Sequence, residues 1–366
     1  SLDYGGAYDG VRDVEGALVS FKPVVDKVPF PSKVFLSTTE GQEIHRKISF
    51  WGTDFYVENY RPSTKDDFIS LSAGQNHALA LTQSGTVVAW GDSSFGQTNL
   101  TNSKLITSGE IERIDAGDSH SLALTFDQEV IAWGSNVQGQ TAVPNNLSAI
   151  RVAAGGEHSL ALKSDRTVVG WGENADGQII LPNNLNDVFE ISAGQNHSAA
   201  LAGYGVKTCK QLQHINGQWS VVNKSIPIGV ASAWGVNDLA QSTVPSSLSA
   251  GTPDLIAISC GGNHTLALDA NGKVFGWGDN GYGQITPLTG MDLVEPDGSS
   301  AFAIEIDAGF SHSLAISEKG TVFAWGSNLN NQTNVTNLFN NSVLLAAGDN
   351  YSLAYGLEPD EHIYYS

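Results

Sequence analysis

Histidine is the residue of this sequence whose type and spacing could support chemistry. Six of the nine histidines recur at one position of a repeated motif, at His77, His120, His158, His197, His264 and His312. Imidazole can bind a metal ion or transfer protons. Metal binding would need several nitrogen atoms within about 2 Å of one ion, and one histidine per repeat keeps neighbouring rings apart. We therefore expect structural histidines that bond to turn backbone, with no metal ion and no catalytic role.

Other chemical signatures are weak. Gly276-x-Gly278-x-x-Gly281 matches the glycine spacing of dinucleotide-binding loops, but no helix pattern follows it and the repeat already accounts for each glycine. Gly-x-Ser-x-Gly, HExxH and P-loop motifs are absent from the sequence. Cys209 and Cys260 form neither a CxxC nor a zinc pattern, and they fit one disulfide or two buried thiols. We expect no enzyme activity and no cofactor.

Charge limits the class of partner. The 366 residues carry 18 Lys and Arg against 38 Asp and Glu, a net charge of -20. A field of this sign repels phosphate backbones and anionic membranes, so the sequence predicts no nucleic-acid partner. No apolar run approaches the ~20 residues that cross a bilayer, which predicts no membrane insertion.

Location is indicated by smaller signals. The chain begins at Ser1 without an initiator Met, which indicates a removed leader or a fragment. Nine Asn-x-Ser/Thr triplets occur, and such sites accept N-glycans on exposed loops of secreted chains. Together with the low pI they favour an extracellular or cell-surface protein. The candidate glycosylation sites are Asn99, Asn146, Asn223, Asn331, Asn334 and Asn340.

The repeated histidines belong to an internal sequence repeat, and the fold of that repeat determines where they lie. Residues 73–81 form an Ala-Gly-x-x-His motif with an apolar run, and Trp90-Gly91 follows. The same unit returns four times with the His always 13 residues before the Trp. The His begins a short apolar run, a Gly or Asn turn follows, and a second strand ends in Trp-Gly. This is the pattern of a β-hairpin. Both strands are continuously apolar, as expected of sheets covered on both faces.

Repeats of about 40 residues with about four short strands each are typical of propeller blades. No sustained helical period occurs, so the fold class is all-β. Each Trp would bury roughly 150–250 Å², which explains the tryptophans as core residues. Trp-Gly occurs seven times, at Trp51, Trp90, Trp133, Trp171, Trp234, Trp277 and Trp325.

The His motif also occurs seven times when Tyr351 is counted in place of a seventh His. The two series are out of phase at the chain ends, because Tyr351 lacks a following Trp-Gly and Trp51 lacks a preceding motif. The sequence therefore predicts a seven-bladed β-propeller in which an N-terminal strand around residues 44–58 completes the C-terminal blade. The alternative is an extra, degenerate blade running from residues 34–37 to Trp51.

Two segments depart from the repeat. In the fourth unit His197 precedes Trp234 by 37 residues, which indicates an insertion at about 203–228. Residues 1–43 contain Pro23, Pro29 and Pro31 and are predicted to be an extended N-terminal arm that could serve in assembly. The domain prediction is an arm at 1–43 and a propeller at 44–366.

The motif Ala-Gly-x-x-His-Ser-Leu-Ala-Leu followed by Trp-Gly-x-Asn-x-x-Gly-Gln resembles the regulator-of-chromosome-condensation (RCC1) repeat over residues 46–356. The short, regular form looks most like the bacterial variety, which includes a secreted β-lactamase inhibitor. The departures from the pattern are Ala240 and Asn331 in place of the turn glycine, and Tyr351 in place of His. The resemblance implies a propeller that serves exchange, inhibition or scaffolding roles.

Binding through loops is the function that remains. Phe95 and Tyr282 in the loops before Gly-Gln, and Trp219 in the insertion, are the candidate partner contacts. The first hypothesis is an extracellular protein-binding or structural scaffold whose arm docks on other copies of the chain, as in a surface or filamentous assembly. The alternatives are a secreted enzyme inhibitor and an intracellular nucleotide-exchange factor, the latter disfavoured by the acidity.

Overall fold

The structure is a computed structural model that describes residues 46–59, 62, 67–101, 111–215, 218–249, 251, 253–285, 293–335 and 342–357. The predicted arm at 1–43, the alternative extra blade beginning at 34–37 and the candidate glycosylation site Asn340 lie outside these residues. No helix in the described ranges has the length and apolarity that a bilayer crossing requires.

Three-stranded antiparallel units make up the described chain. In each unit the first strand leads through the Ala-Gly turn to a central strand that begins with the motif His, and the third strand ends in Trp-Gly. The first three units are β2 (Phe68–Ala73), β3 (His77–Thr82) and β4 (Val87–Gly91); β5 (Ile111–Ala116), β6 (His120–Thr125) and β7 (Val130–Gly134); β8 (Arg151–Ala154), β9 (His158–Leu162) and β10 (Val168–Gly172). The next three are β11 (Val188–Ala193), β12 (His197–Ile215) and β13 (Gln218–Gly235); β14 (Leu255–Cys260), β15 (His264–Asp269) and β16 (Val274–Gly278); β17 (Ala303–Ala308), β18 (His312–Ser317) and β19 (Val322–Gly326).

The closing unit joins the two ends of the described chain. Its strands are β20 (Ser342–Ala347), β21 (Tyr351–Leu357) and, from the other end of the sequence, β1 (Arg46–Gly52). Antiparallel pairing runs from Arg46 opposite Leu357 to Gly52 opposite Tyr351. The Trp-Gly at the end of β1 thus occupies the place that Trp-Gly holds in the other units.

The central strands explain the continuous apolar runs. Every residue of β3, β6, β15 and β18 is buried, because a neighbouring unit covers each face. The apolar clusters lie between consecutive units; one of them packs Leu79 and Leu81 of β3 against Ile114 and Trp133 of the next unit. The core is therefore a series of inter-unit layers.

The prediction of about four strands per repeat is wrong for the described residues, which form three strands per unit. The segment after Trp-Gly makes a turn instead of a fourth strand. Its Gln side chain folds back on the turn, so that Gln97 Oε1 accepts the Phe95 N–H and Gln97 Nε2 donates to Asp92. Its backbone carbonyl bonds to the next unit, as described below, and is not available for a strand ladder.

The insertion predicted at 203–228 lengthens a hairpin of the fourth unit. β12 and β13 pair from His197 opposite Gly235 to Ile215 opposite Gln218, with one register shift between Gly203 and Gly205. A single register pair, Gly229 opposite Leu255, joins this unit to the fifth, so that β11–β16 form one six-stranded sheet.

Two short helices complete the described fold, α1 (Phe55–Asn59) and α2 (Ser246–Ser249). Asp54 caps α1 by accepting the backbone N–H groups of Tyr56 and Val57, each at 2.9 Å. α1 follows Gly52 and contacts β3 and β4, so it stands where other units have the Gly-Gln turn.

Candidate functional site

The repeat histidines link each unit to the next. The Nε2 atom of each ring lies 2.8–3.0 Å from a Ser or Thr hydroxyl of the following unit. The pairs are His77–Ser121, His120–Ser159, His158–Ser198, His197–Thr265, His264–Ser313 and His312–Ser352. The hydroxyl partner differs from the turn backbone that the sequence led us to expect.

The hydroxyl fixes the tautomer of the imidazole. Ser121 Oγ donates its single hydrogen to the carbonyl of Gln97 at 3.0 Å. The hydroxyl must therefore accept from His77 Nε2–H, which leaves Nδ1 of that ring without a proton. The same bond from hydroxyl to Gln carbonyl recurs at Ser159, Ser198 and Ser313. The histidines are thus donors in a structural chain of hydrogen bonds.

Burial holds these rings neutral. Desolvation lowers the pKa of His77 and His158 to about 4 and that of His120, His197, His264 and His312 to about 3. A pKa depressed on folding means that the unfolded chain takes up protons below pH ~6.5 that the folded chain does not. These groups therefore reduce stability as the pH falls from about 6.5 towards 3.

We expect the six repeat histidines to remain neutral Nε2–H tautomers at pH 5, where a free imidazole is about 97% protonated. Long-range ¹⁵N–¹H correlation spectra of histidine-labelled protein measure both properties directly. The urea-unfolded protein at the same pH is the control and should show only the doubly protonated pattern. Six imidazolium signals from the folded protein would contradict this hydrogen-bond arrangement.

Tryptophan forms a second inter-unit bond. Nε1 of Trp133, Trp171, Trp234, Trp277 and Trp325 donates to the carbonyl of the Gln in the preceding turn at 2.8–3.0 Å. The rings of Trp133, Trp171, Trp234 and Trp277 are also buried. The Gln carbonyl thus accepts from both a hydroxyl and an indole of the next unit.

The junction between the closing unit and the first unit is formed by different side chains. Here Ala78 stands where the other units carry a hydroxyl, and Tyr351 stands in place of His. The Tyr351 hydroxyl donates to backbone carbonyls of the first unit, 2.7 Å from His77 O and 3.1 Å from Gly74 O. With α1 in place of a Gly-Gln turn, Trp90 Nε1 is buried without a partner.

Two sets of loops lie at the same end of every unit. The Ala-Gly-x-x turn precedes the central strand, and the third strand ends beside it, as in the pairing of His77 with Gly91. We call this end the motif face. It comprises the turns 74–76, 117–119, 155–157, 194–196, 261–263, 309–311 and 348–350, and the segments 53–59, 92–99, 135–142, 173–180, 236–243, 279–285 and 327–334.

The motif face exposes large apolar side chains. Phe95 is 55% exposed and Tyr282 is 53% exposed, which places both predicted partner contacts on this surface. The structure adds residues that sequence reasoning missed. In the segments after Trp-Gly these are Tyr56, Val137, Ile180, Leu239 and Leu329, and in an Ala-Gly turn it is Phe310.

Basic residues are excluded from the motif face. The motif-face segments contain no Lys or Arg. Their acidic residues are Asp54, Glu58, Asp92, Asp118, Glu157, Glu173, Asp176, Asp238, Asp279 and Asp349. The basic side chains in the described ranges lie on the strands or at the opposite end, where Lys163, Lys207, Lys210 and Lys319 form ion pairs with Asp165, Asp254, Glu318 and Asp297.

A cavity of about 80 Å³ opens at the centre of the motif face, lined by the Ala-Gly turns of all seven motif copies. Asp118 and Asp349 lie at this cavity, and Gln195 Nε2 donates to Asp118 at 2.7 Å. Burial, with repulsion from Asp349 and Glu157, raises the pKa of Asp118 to about 6. No group of three or more His, Cys, Asp or Glu side chains within the described ranges is arranged to hold a metal ion.

The long hairpin crosses the opposite end. Cys209 and Ile228 pack with the fifth and sixth units, and Leu212 packs against the clusters of the sixth, closing and first units. Lys210 pairs with Glu318 and lies 4.8 Å from the Phe302 ring. Trp219, the third predicted partner contact, is half-buried against His214 and the cluster of the closing and first units. The structure therefore does not bring Trp219 together with Phe95 and Tyr282.

Cys209 and Cys260 are free and buried in the structure and form no disulfide there. Cys209 packs in one apolar cluster and Cys260 in another. Cys260 Sγ faces the Ser192 carbonyl at 3.8 Å, and burial raises the pKa of its thiol to about 12. Among the candidate glycosylation sites, the exposed ones are Asn99, Asn146, Asn223, Asn331 and Asn334.

Comparison with known proteins agrees with this geometry. The family model of the regulator of chromosome condensation (RCC1) repeat matches residues 68–97, 111–140, 149–178, 255–284 and 303–332. No curated protein matches the chain by sequence.

Solved structures share the fold at low identity. Prp20p from Saccharomyces cerevisiae, a structure reported with its binding properties to Gsp1p and histones, has a TM-score of 0.63 and 18% identity over 87% of this chain and 93% of Prp20p. Human WBSCR16 has a TM-score of 0.60 and 20% identity, covering 81% and 88% of the two chains. The ectodomain of the receptor kinase CR4 from Physcomitrella patens has a TM-score of 0.57 and 18% identity, covering 82% and 73%.

The turn glycine, the buried histidine and the indole bonded to the preceding turn lie within or directly beside segments that match the RCC1 repeat. The chain thus contains five matches to the RCC1 repeat, and its fold is similar to that of Prp20p.

Proposed function

We propose that the chain is a non-catalytic, seven-bladed propeller that binds a protein partner through the motif face. The exposure of large apolar side chains on the segments that follow Trp-Gly carries this proposal. Exposed apolar residues grouped on one surface, and surrounded by polar residues, mark interaction sites. Phe95 and Tyr282 are aromatic anchors of the kind that contribute strongly to protein interfaces.

A closed ring of seven blades is supported by the strand pairings. β1 completes the sheet of β20 and β21, and the closing unit contacts the first unit through β2 with β20 and β21. The Tyr351 hydroxyl bonds link the same two units. A closed ring leaves its loop-bearing ends, rather than a sheet edge, available to a partner.

The proposal that the chain is non-catalytic is supported by the contacts that the repeat side chains make. The repeat histidines and tryptophans form hydrogen bonds with neighbouring units. Burial shields the His264 ring from a substrate and lowers its pKa to about 3, which keeps the ring neutral. Such residues stabilise a scaffold.

We propose that this scaffold is extracellular. The acidic composition and the exposed Asn-x-Ser/Thr triplets, such as those at Asn146 and Asn223, support it. A secreted inhibitor would use the same motif face to cap an enzyme. A nucleotide-exchange factor is less favoured, because a chain of net charge -20 suits neither nucleic acid nor nucleosomal DNA.

Site-specific photo-crosslinking in the native source tests the proposal. A photoreactive phenylalanine replaces Phe95 or Tyr282 on the motif face, or Val294, which is 59% exposed and precedes β17 at the opposite end. We expect a discrete protein adduct from the first two positions and none from Val294. Adducts from Val294 alone, or none from the motif face, would exclude this face as the binding surface.

A further inference from the structure

We propose that the occupant of the motif face is the segment 20–37 of a second copy of this chain, so that copies associate head to tail. This inference rests on the proposed protein-binding role of the motif face and names its partner. Three observations carry it: the chemistry of the face, the chemistry of the segment, and the place where the chain enters β1.

The face requires a partner that is both apolar and cationic. Its exposed apolar side chains include Phe95, Tyr282 and Phe310, and its segments carry ten carboxylates with no Lys or Arg. At the centre, Asp349 and Glu157 repel the Asp118 carboxylate, and the described motif-face segments offer it no Lys or Arg. A positive partner would relieve this repulsion, whereas nucleic acid or an anionic lipid surface would increase it.

The segment 20–37 has that chemistry. Its sequence, SFKPVVDKVPFPSKVFLS, carries Lys22, Lys27 and Lys33 against the single acid Asp26, in a chain whose net charge is -20. Eight of its residues are Val, Phe or Leu. Three prolines favour an extended backbone that loses little conformational freedom on docking.

The topology favours docking between copies. β1 begins at Arg46, which pairs with Leu357 at the end away from the motif face, and it reaches that face only at Gly52 beside Tyr351. To reach its own motif face, the chain before Arg46 would have to retrace the whole length of β1. A second copy stacked below presents its motif face at the place where β1 begins.

A second copy offers no better surface than this segment. Two motif faces placed against each other would oppose carboxylate to carboxylate. At the opposite end, Lys163, Lys207, Lys210 and Lys319 are already paired with carboxylates of their own copy. Docking of one surface on a different surface of the next copy does not give a two-fold dimer; it gives a ring where the rotation closes and a filament where it does not.

Charge-swap complementation between full-length chains tests the proposal. The arm variant carries Lys22→Glu, Lys27→Glu and Lys33→Glu, and the face variant carries Glu157→Lys, Asp176→Lys and Asp238→Lys. Sedimentation velocity measures association of each chain alone and of the equimolar mixture. We expect the wild type to associate, each variant alone to associate about 100-fold more weakly, and the mixture to form a larger complex, because the unchanged segment of the face variant docks on the unchanged face of the arm variant.

A second junction of the mixture pairs reversed charges, because the Glu side chains of the arm variant meet the Lys side chains of the face variant. A control variant with Lys22→Arg, Lys27→Arg and Lys33→Arg, which keeps the positive charge of the segment, should associate like the wild type. Circular dichroism of each chain confirms that it is folded. Two outcomes overturn the inference: a wild type that stays monomeric at all concentrations, or a mixture no larger than its separate components.

These outcomes are separate from those that test the proposed function. A monomeric wild type whose position 95 crosslinks to a different protein would retain the binding face and remove the head-to-tail assembly. A crosslink from position 95 to residues 20–37 within one chain would likewise overturn association between copies.

Discussion

Replacement of Gly117 by alanine is expected to destabilise the fold by about 3 kcal/mol. A Cβ at this position would lie 2.5 Å from His120 Cε1 and far inside van der Waals contact with the Gly155 carbonyl oxygen of the next unit. Backbone of a neighbouring unit cannot move aside as a flexible side chain can. Urea unfolding followed by tryptophan fluorescence measures the change in free energy.

Gly281→Ala is the matched control, because its Cβ would meet only the flexible Asp279 carboxylate, at 3.3 Å. We expect this variant to remain within about 0.5 kcal/mol of the wild type. Equal stability of the Gly117 and Gly281 variants would show that the Ala-Gly turns do not pack against each other as the structure describes.

Removal of β1 is expected to abolish cooperative folding, and its transfer to the other end of the chain to restore it. β1 buries Ile48 and Trp51 in two different clusters and stacks Phe50 on Tyr351 with ring centroids 5.7 Å apart. Truncation of buried side chains of this size costs about 2–5 kcal/mol each, and a domain is stabilised by only about 5–15 kcal/mol. Loss of the whole strand therefore exceeds what the fold can tolerate.

The comparison uses two chains that both begin at residue 53. One ends at Leu357; the other continues through a linker of about four residues into residues 46–52, since Arg46 and Leu357 are paired neighbours. Thermal unfolding by circular dichroism should show a sharp transition only for the second chain. A cooperative transition in both would mean that ring closure does not depend on β1.

Much of the repeat could be predicted because its physical roles are local. Fixed spacing between His and Trp identifies a hairpin, and continuous apolar runs identify strands that are covered on both faces. The hydroxyl partner of the histidine was also visible, since Ser or Thr follows His120, His158 and His264 directly. The exception, Ala78, lies in the unit that receives Tyr351 instead of His. Sequence and structure thus change together at one junction.

The binding surface was only partly predictable. Phe95 and Tyr282 were recognised as aromatic residues in loops, but Val137 and Leu329 are ordinary aliphatic residues until topology places them at the same end. The absence of Lys and Arg from the motif-face segments likewise becomes apparent only when the topology shows which turns lie at the same end. The path of the long hairpin, and with it the burial of Trp219, depends on contacts with units distant in sequence.

The junction between the closing and first units has a consequence for how the molecule forms. Tyr351 and His77 are 274 residues apart, so their meeting costs more chain entropy than any contact between consecutive units. Six junctions use a His–hydroxyl hydrogen bond, whereas this one uses the hydroxyls of Tyr351 and Tyr355 and the edge-to-face contact of Phe68 with the Tyr355 ring. We therefore expect the junction that joins the two ends of the described chain to form last when the molecule folds.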